Sequence, residues 1–151
     1  MQSITSHSVE ETERLGMELA RALRSGDVVA LVGEIGAGKT TFVRGLARGL
    51  GVPDGSVASP SFVLVRQYTA GRMPLYHADL FRLDNSAAAV SVGLEECYEA
   101  GGVTLIEWAN KVLGVLPEQF LEIRFEATDP ETRRLTAILH GPLYQGRPFF
   151  Q

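Results

Sequence analysis

Eight consecutive residues, Gly33-Glu34-Ile35-Gly36-Ala37-Gly38-Lys39-Thr40, carry the clearest chemical signal in this sequence. They match the pattern G-x-x-x-x-G-K-[ST], whose parts suit phosphate. Glycines at 33, 36 and 38 let the backbone curl until successive N–H groups converge on one anion. A helix starting at Lys39 aims its positive end and its unpaired N–H groups at the same oxygens. The Lys39 ammonium then reaches the β- and γ-phosphates of a nucleotide, and the Thr40 hydroxyl can ligate Mg²⁺. Glu34, Ile35 and Ala37 add main chain to the cradle, and Thr41 carries it into the helix. Lysine is scarce here: twelve of the fourteen basic residues are arginine, and Lys111 is the only other lysine. A compact ammonium fits between phosphates where a wide guanidinium does not.

Mg²⁺ beside such a loop needs a carboxylate, usually at the end of a neighbouring strand. Two acids stand at such ends: Asp79 after Leu75-Tyr76-His77-Ala78, and Glu107 after Val103-Thr104-Leu105-Ile106. Either can serve the metal. Ser61, in an irregular stretch beyond the helix, offers a hydroxyl to Mg²⁺ or the γ-phosphate, as a switch loop does. His77 reads as a packed or hydrogen-bonded strand residue rather than a base, and Trp108 as packing beside the site.

The elements that must position these groups are legible from periodicity. Ser8 and Glu11 form a capping box, followed at helical spacing by Thr12, Leu15, Leu19 and Leu23. This predicts a helix over residues 9–24, stopped by Ser25-Gly26. The run Val28-Val29-Ala30-Leu31-Val32 lacks alternation, so it predicts a strand buried on both faces, as at the centre of a parallel sheet. A second helix follows over 39–50, with Gly51 placed to cap it. Residues 62–65, 75–78 and 103–106 predict further strands, and 86–100 a weaker helix interrupted at Gly93. Leu121, Ile123 and Phe125 alternate with Glu122 and Arg124, and a turn at Thr128-Asp129-Pro130 leads to 135–140. That is a hairpin with one face solvated. The fold class is α/β: a mainly parallel central sheet with antiparallel edge strands and flanking helices. One domain over 1–141 and a tail over 142–151 account for the chain.

Composition narrows the setting. A chain of 151 residues suits one core, and a formal charge of −4 gives no global basic field for nucleic acid. Cys97 is the single cysteine, so no internal disulfide forms, which fits a reducing compartment. The first apolar run is far shorter than a membrane span, and the N-terminus lacks the features of a signal peptide. The expected location is the cytoplasm.

Five segments carry a more selective likeness: GEIGAGKTTFVRG at 33–45, SPSFVLV at 59–65, YHADLFRL at 76–83, Gly93-Leu94-Glu95-Glu96, and LIEW at 105–108. In order and spacing, over all but about the last ten residues, the chain resembles the TsaE (YjeE) family. These are bacterial ATPases of tRNA threonylcarbamoyladenosine (t6A) biosynthesis with a P-loop NTPase-like fold. The resemblance implies that Thr40 and Glu107 hold Mg²⁺ and that Asp79 lies near the γ-phosphate. It places adenine near the start of the first helix and the late hairpin, which points to Ser8 and Arg133. It also implies partners: a complex of TsaB and TsaD, reset by ATP binding and hydrolysis between rounds of synthesis on adenosine 37, with tRNA met only through that complex. The family usually has threonine where Ser61 stands and often tyrosine where Phe81 stands. Ser61 keeps the hydroxyl; Phe81 loses one.

Two other classes share the loop. A small-molecule kinase, the alternative reading, generally needs an arginine-bearing lid, and no lid insertion is evident. A signalling GTPase wants Asn-Lys-x-Asp, whereas Asn110-Lys111-Val112-Leu113 lacks the aspartate, which favours ATP. None of the twelve arginines stands in a motif that assures an arginine finger in cis, so slow hydrolysis is expected of the isolated chain.

Overall fold

The computed structural model, which describes residues 2–34, 36–53, 65–80, 93–107 and 116–150, gathers the apolar runs into one seven-stranded sheet. Its strands are β1 (Gln2–Ser6), β2 (Val28–Gly33), β3 (Val65–Tyr68), β4 (Leu75–Asp79), β5 (Val103–Glu107), β6 (Phe120–Ala127) and β7 (Arg133–His140). The helices are α1 (Val9–Ala22), α2 (Lys39–Gly49) and α3 (Leu94–Glu99), and a 3₁₀ turn spans Pro142–Tyr144. Strand order is β1-β7-β6-β2-β5-β4-β3. The central four, β6, β2, β5 and β4, pair in parallel. The outer strands join antiparallel, β7 and β1 on one side and β3 on the other. The fold is therefore the expected α/β class, with a parallel core and antiparallel edges.

The uniform apolar run of β2 has a packing explanation. Val29 and Leu31 join the larger core, which includes Leu15, Leu19, Phe42 and Leu46 of α1 and α2. Val28 and Ala30 face the other way, onto Ala78, Leu80, Leu94 and Ile106. Both faces are covered, so alternation would have left a polar side chain in one core or the other.

The predicted cap of α1 forms: the Ser8 hydroxyl accepts from the Glu11 N–H at 3.0 Å. The Glu11 carboxylate reaches one residue further back than usual and accepts from the His7 N–H at 2.6 Å. The helix stops at Ala22, short of the expected Arg24. There the Arg24 N–H leaves the helical ladder and donates to Asp27 Oδ2 at 2.7 Å.

Helices α1 and α2 meet at main-chain distance. A Cβ on Gly45 would lie 1.9 Å from the Glu13 carbonyl oxygen, and one on Gly16 would lie 2.2 Å from that of Phe42. Only glycine permits this approach, and it locks the helix that follows the loop against α1.

Three features depart from the sequence reading or fall beyond it. Strand β1 was not anticipated; its polar residues pair with β7 in the register Ile4↔Leu135 and Ser6↔Arg133. The solvated face of the hairpin holds at Arg124 but fails at Glu122, which is buried between Arg124 and His140. Residues 142–150 bring Tyr144 and Phe149 into the core, while Arg147 pairs with buried Asp27 (Nη1–Oδ1, 3.1 Å). The predicted strand over 62–65 is described only from Val65, as part of β3, and the helix over 86–100 only from residue 93. No described helix is long and apolar enough to cross a membrane.

The helix contact gives a stability prediction. Gly45→Ala gains helix propensity, but its methyl group overlaps the Glu13 carbonyl. Overpacking of this kind costs about 1–3 kcal/mol, against up to about 1 kcal/mol recovered from propensity. A net cost of about 1–2 kcal/mol should lower the Tm in thermal melting by roughly 2–8 °C for a chain of this size. An unchanged or raised Tm would mean the helices do not pack this closely.

Candidate functional site

Strand register decides which acids reach the loop. In the parallel pairing, Glu107 lies level with Leu31, two residues before Gly33, and Asp79 lies level with Glu107. The ends of β2, β5 and β4 thus form one edge of the sheet, the edge where α/β folds place ligands. Alternation puts Leu31, Glu107 and Asp79 on the same face, the one covered by α2. Both carboxylates are buried.

The loop between β2 and α2 curls as its glycines require: φ is +81° at Gly36 and +102° at Gly38, which is the N-cap of α2. The helical ladder begins with the Phe42 N–H donating to the Gly38 carbonyl at 3.0 Å. The N–H groups of Lys39, Thr40 and Thr41 lie ahead of it, in the first turn. Helix α1 begins with a serine cap and two acids in its first turn; α2 begins with no side-chain cap and no acid there. The positive pole of α2 is therefore not offset by its own sequence, which leaves it available to an anion. Phe42 packs edge-on to Phe125 of β6 at 5.3 Å and fixes that turn against the sheet.

Lys39 is only 6% exposed. Its ammonium donates to the carbonyls of Gly33 and Glu34, the latter at 3.1 Å. Burial pulls its pKa below the ordinary lysine value, while the charges of Glu107, Asp79 and Glu34 push it back up. The ammonium and the curled main chain can hold a phosphate group, and the acids beside them can balance a cation taken up with it.

His77 completes the cluster. It is fully buried, and its Nε2 lies 2.6 Å from Glu107 Oε2. It is thus the hydrogen-bonded strand residue the sequence suggested, with the Glu107 carboxylate as its partner. The His-x-Asp spacing was the available signal, since positions two apart on a strand share a face.

A second group flanks the loop. The Arg133 guanidinium donates to the Gly36 carbonyl at 3.1 Å and to the Asp129 carbonyl at 3.0 Å. Thr12 of α1 is buried opposite Gly38, where a Cβ would meet its methyl at 3.6 Å, and its hydroxyl bonds Ser6 at 2.6 Å. Ser8 sits at this corner too, with its hydroxyl engaged in capping α1. The structure therefore gathers Gly33, Glu34, Gly36, Ala37, Gly38, Lys39, Thr40, Thr41, Asp79 and Glu107 at one edge, with Arg133 and the Ser8 corner beside it. Ile35 and Ser61 lie outside the described residues, as does Trp108.

The donor set fits Mg²⁺ taken up together with a phosphate ligand. The Thr40 hydroxyl and the carboxylates of Glu107 and Asp79 are hard oxygen donors. Mg²⁺ is typically bound through one or two carboxylates plus substrate phosphates, keeping several waters.

Comparison with known proteins follows the same lines. The profile of the family described as "Threonylcarbamoyl adenosine biosynthesis protein TsaE" matches residues 6–135. A protein of Bacillus subtilis named "tRNA threonylcarbamoyladenosine biosynthesis protein TsaE" is 37% identical over 136 residues, covering 90% of this chain and 84% of that protein. Its namesake from Treponema pallidum is 40% identical over 131 residues, covering 87% and 96%. Among solved structures, the crystal structure of Bacillus subtilis YdiB superposes with a TM-score of 0.82 at 32% identity, covering 95% of this chain and 88% of that one.

The electrostatics of the loop can be tested without a ligand. With only two lysines in the chain, NMR of the labelled side chains gives two signals, and Lys39→Met identifies one of them. Lys39 should titrate below the ordinary lysine value, because burial outweighs its acidic neighbours. Between its folded pKa and the unfolded value the unfolded chain binds more protons, so its contribution to stability rises with pH in that window. A Lys39 titrating at or above the ordinary value would reverse that ranking of effects.

Proposed function

Since the chain belongs to the TsaE family, we propose that it is the ATP-binding and ATP-hydrolysing component of the machinery that forms t6A at adenosine 37 of tRNA. In this reading it supports a TsaB–TsaD complex in the cytoplasm, meets tRNA only through that complex, and does not perform the threonylcarbamoyl transfer. The observation that carries the nucleotide reading is the convergence of Lys39, Asp79 and Glu107 at one strand edge, beside a glycine loop whose helix carries no cap of its own.

The geometry supports the following roles. Main-chain N–H groups of the loop and the first turn of α2 hold the phosphates, and Lys39 exchanges its loop carbonyls for β- and γ-phosphate oxygens. Thr40 and Glu107 would hold Mg²⁺, with Ser61 as a further hydroxyl and Asp79 nearest the γ-phosphate. The metal, when bound, neutralises charge on the β- and γ-oxygens. Arg133 is pinned by carbonyls of the hairpin turn and by Gly36, at the loop's outer flank, where Ser8 and Arg133 border the nucleoside end. That leaves Arg133 braced for binding and poorly placed to swing onto a γ-phosphate. The charge missing from the transition state is then supplied by partners.

Removing Lys39 is the sharpest single change. Lys39→Ala deletes charge-assisted hydrogen bonds to phosphate worth about 1.5–3 kcal/mol each, so ATP affinity should fall about 10- to 100-fold or more by calorimetry. Glu107→Gln should leave binding closer to wild type while cutting phosphate release. A Glu107→Gln protein with full turnover would remove Glu107 from the metal shell.

Turnover should depend on partners. Steady-state phosphate release by the isolated chain should be slow and rise at least several-fold when TsaB and TsaD are both added, with Lys39→Ala cancelling the rise. An isolated chain at full speed, indifferent to both proteins, would favour the kinase alternative.

A further inference from the structure

The cluster at the strand edge contains one group that the proposed function leaves without a task. His77 is fully buried in β4, and every residue of β4 and β5 is buried, so no solvent reaches its ring from either strand. Its register partner on β5 is Leu105; the imidazole leans one step along that strand to meet Glu107 Oε2 at 2.6 Å. Its other nitrogen, Nδ1, has no hydrogen-bond partner among the described residues. A ring nitrogen facing a carboxylate carries the hydrogen, so Nε2 donates to Glu107. Glu107 is therefore gripped at one oxygen by a donor that packing holds still, and the second oxygen remains for the site.

We propose that His77 is a positioning residue: it fixes the Glu107 carboxylate so that one oxygen is committed to the metal shell. The proposal rests on the reading of Glu107 as a Mg²⁺ residue given above. Groups that orient metal-binding side chains typically change metal affinity 10- to 100-fold when removed. The effect of His77 should therefore appear in the Mg²⁺-dependent part of nucleotide affinity and leave the phosphate cradle itself unaffected.

The test uses ADP, which is not turned over, titrated calorimetrically with and without Mg²⁺ into the full chain. Wild type is compared with His77→Leu, which has no donor, His77→Gln, whose amide nitrogen can replace Nε2, and His77→Asn, whose amide falls short. Melting curves report folding. Metal-free ADP affinity should stay within about twofold in all four. The gain in affinity on adding Mg²⁺ should fall about tenfold in His77→Leu and His77→Asn and survive in His77→Gln. Should His77→Leu fail to fold, the contrast between the Gln and Asn variants still decides. An equal Mg²⁺ gain in every folded variant overturns the proposal, as does a loss of metal-free affinity in step with stability, which marks a purely structural role. A wild type that binds ADP with no Mg²⁺ gain removes the metal reading of Glu107, and one that does not bind ADP removes the nucleotide reading; the proposal falls with either. Both outcomes are read in wild type before any variant is made.

Discussion

Lys39 carries a full charge into a place where 6% of its surface remains exposed, and much of the architecture can be understood as the means of keeping it there. A buried ammonium with no partners costs several kcal/mol. Here two carbonyls of the loop take its hydrogen bonds, and Glu107 and Asp79 supply opposite charge from the neighbouring strands. Burial still wins, and the ammonium is left less comfortable than in water. A cation in that condition gains from any anion that replaces the weak carbonyl dipoles, which makes the loop receptive.

That arrangement needs strands ending at one level, which a parallel core provides and an antiparallel meander does not. The register Leu31↔Glu107↔Asp79 aligns three strand ends within two pairings. It also needs α2 held in place, which its close contact with α1 at Gly16 and Gly45 provides. The antiparallel flank contributes at a distance. Strand β7 starts with Arg133 and pairs with Ser6 at the end of β1, so the hairpin and the α1 corner reach the loop together. At the opposite end of β2, Arg147 pairs with Asp27 and Tyr144 receives the Val28 N–H at 3.0 Å, anchoring the strand that leads into the loop.

The parts legible in the sequence were those whose cause is local. The glycine loop, the Ser8 cap and the unbroken apolar run of β2 each state their structure within a few residues. Strand β1 was not legible, because Gln2-Ser3-Ile4-Thr5-Ser6 shows one apolar side chain and is held by main-chain pairing to residues 133–137, far along the chain. Glu122 looked solvated for the same reason: its cover comes from His140, across the hairpin. Arg147 reads as an ordinary polar residue until Asp27 is placed against it. His77 shows the limit most clearly. Its spacing from Asp79 shows a shared face, but its bond to Glu107 depends on the β4–β5 register, which no local pattern encodes.

The central claim is that the strand-edge cluster around Lys39 is a nucleotide site. Calorimetric titration of ATP into the wild-type protein, with Mg²⁺ present and then chelated, tests it most directly. One ATP should bind per chain, saturably, and more tightly when Mg²⁺ is present. No heat at millimolar ATP with Mg²⁺, under conditions where the protein melts cooperatively, would contradict the account.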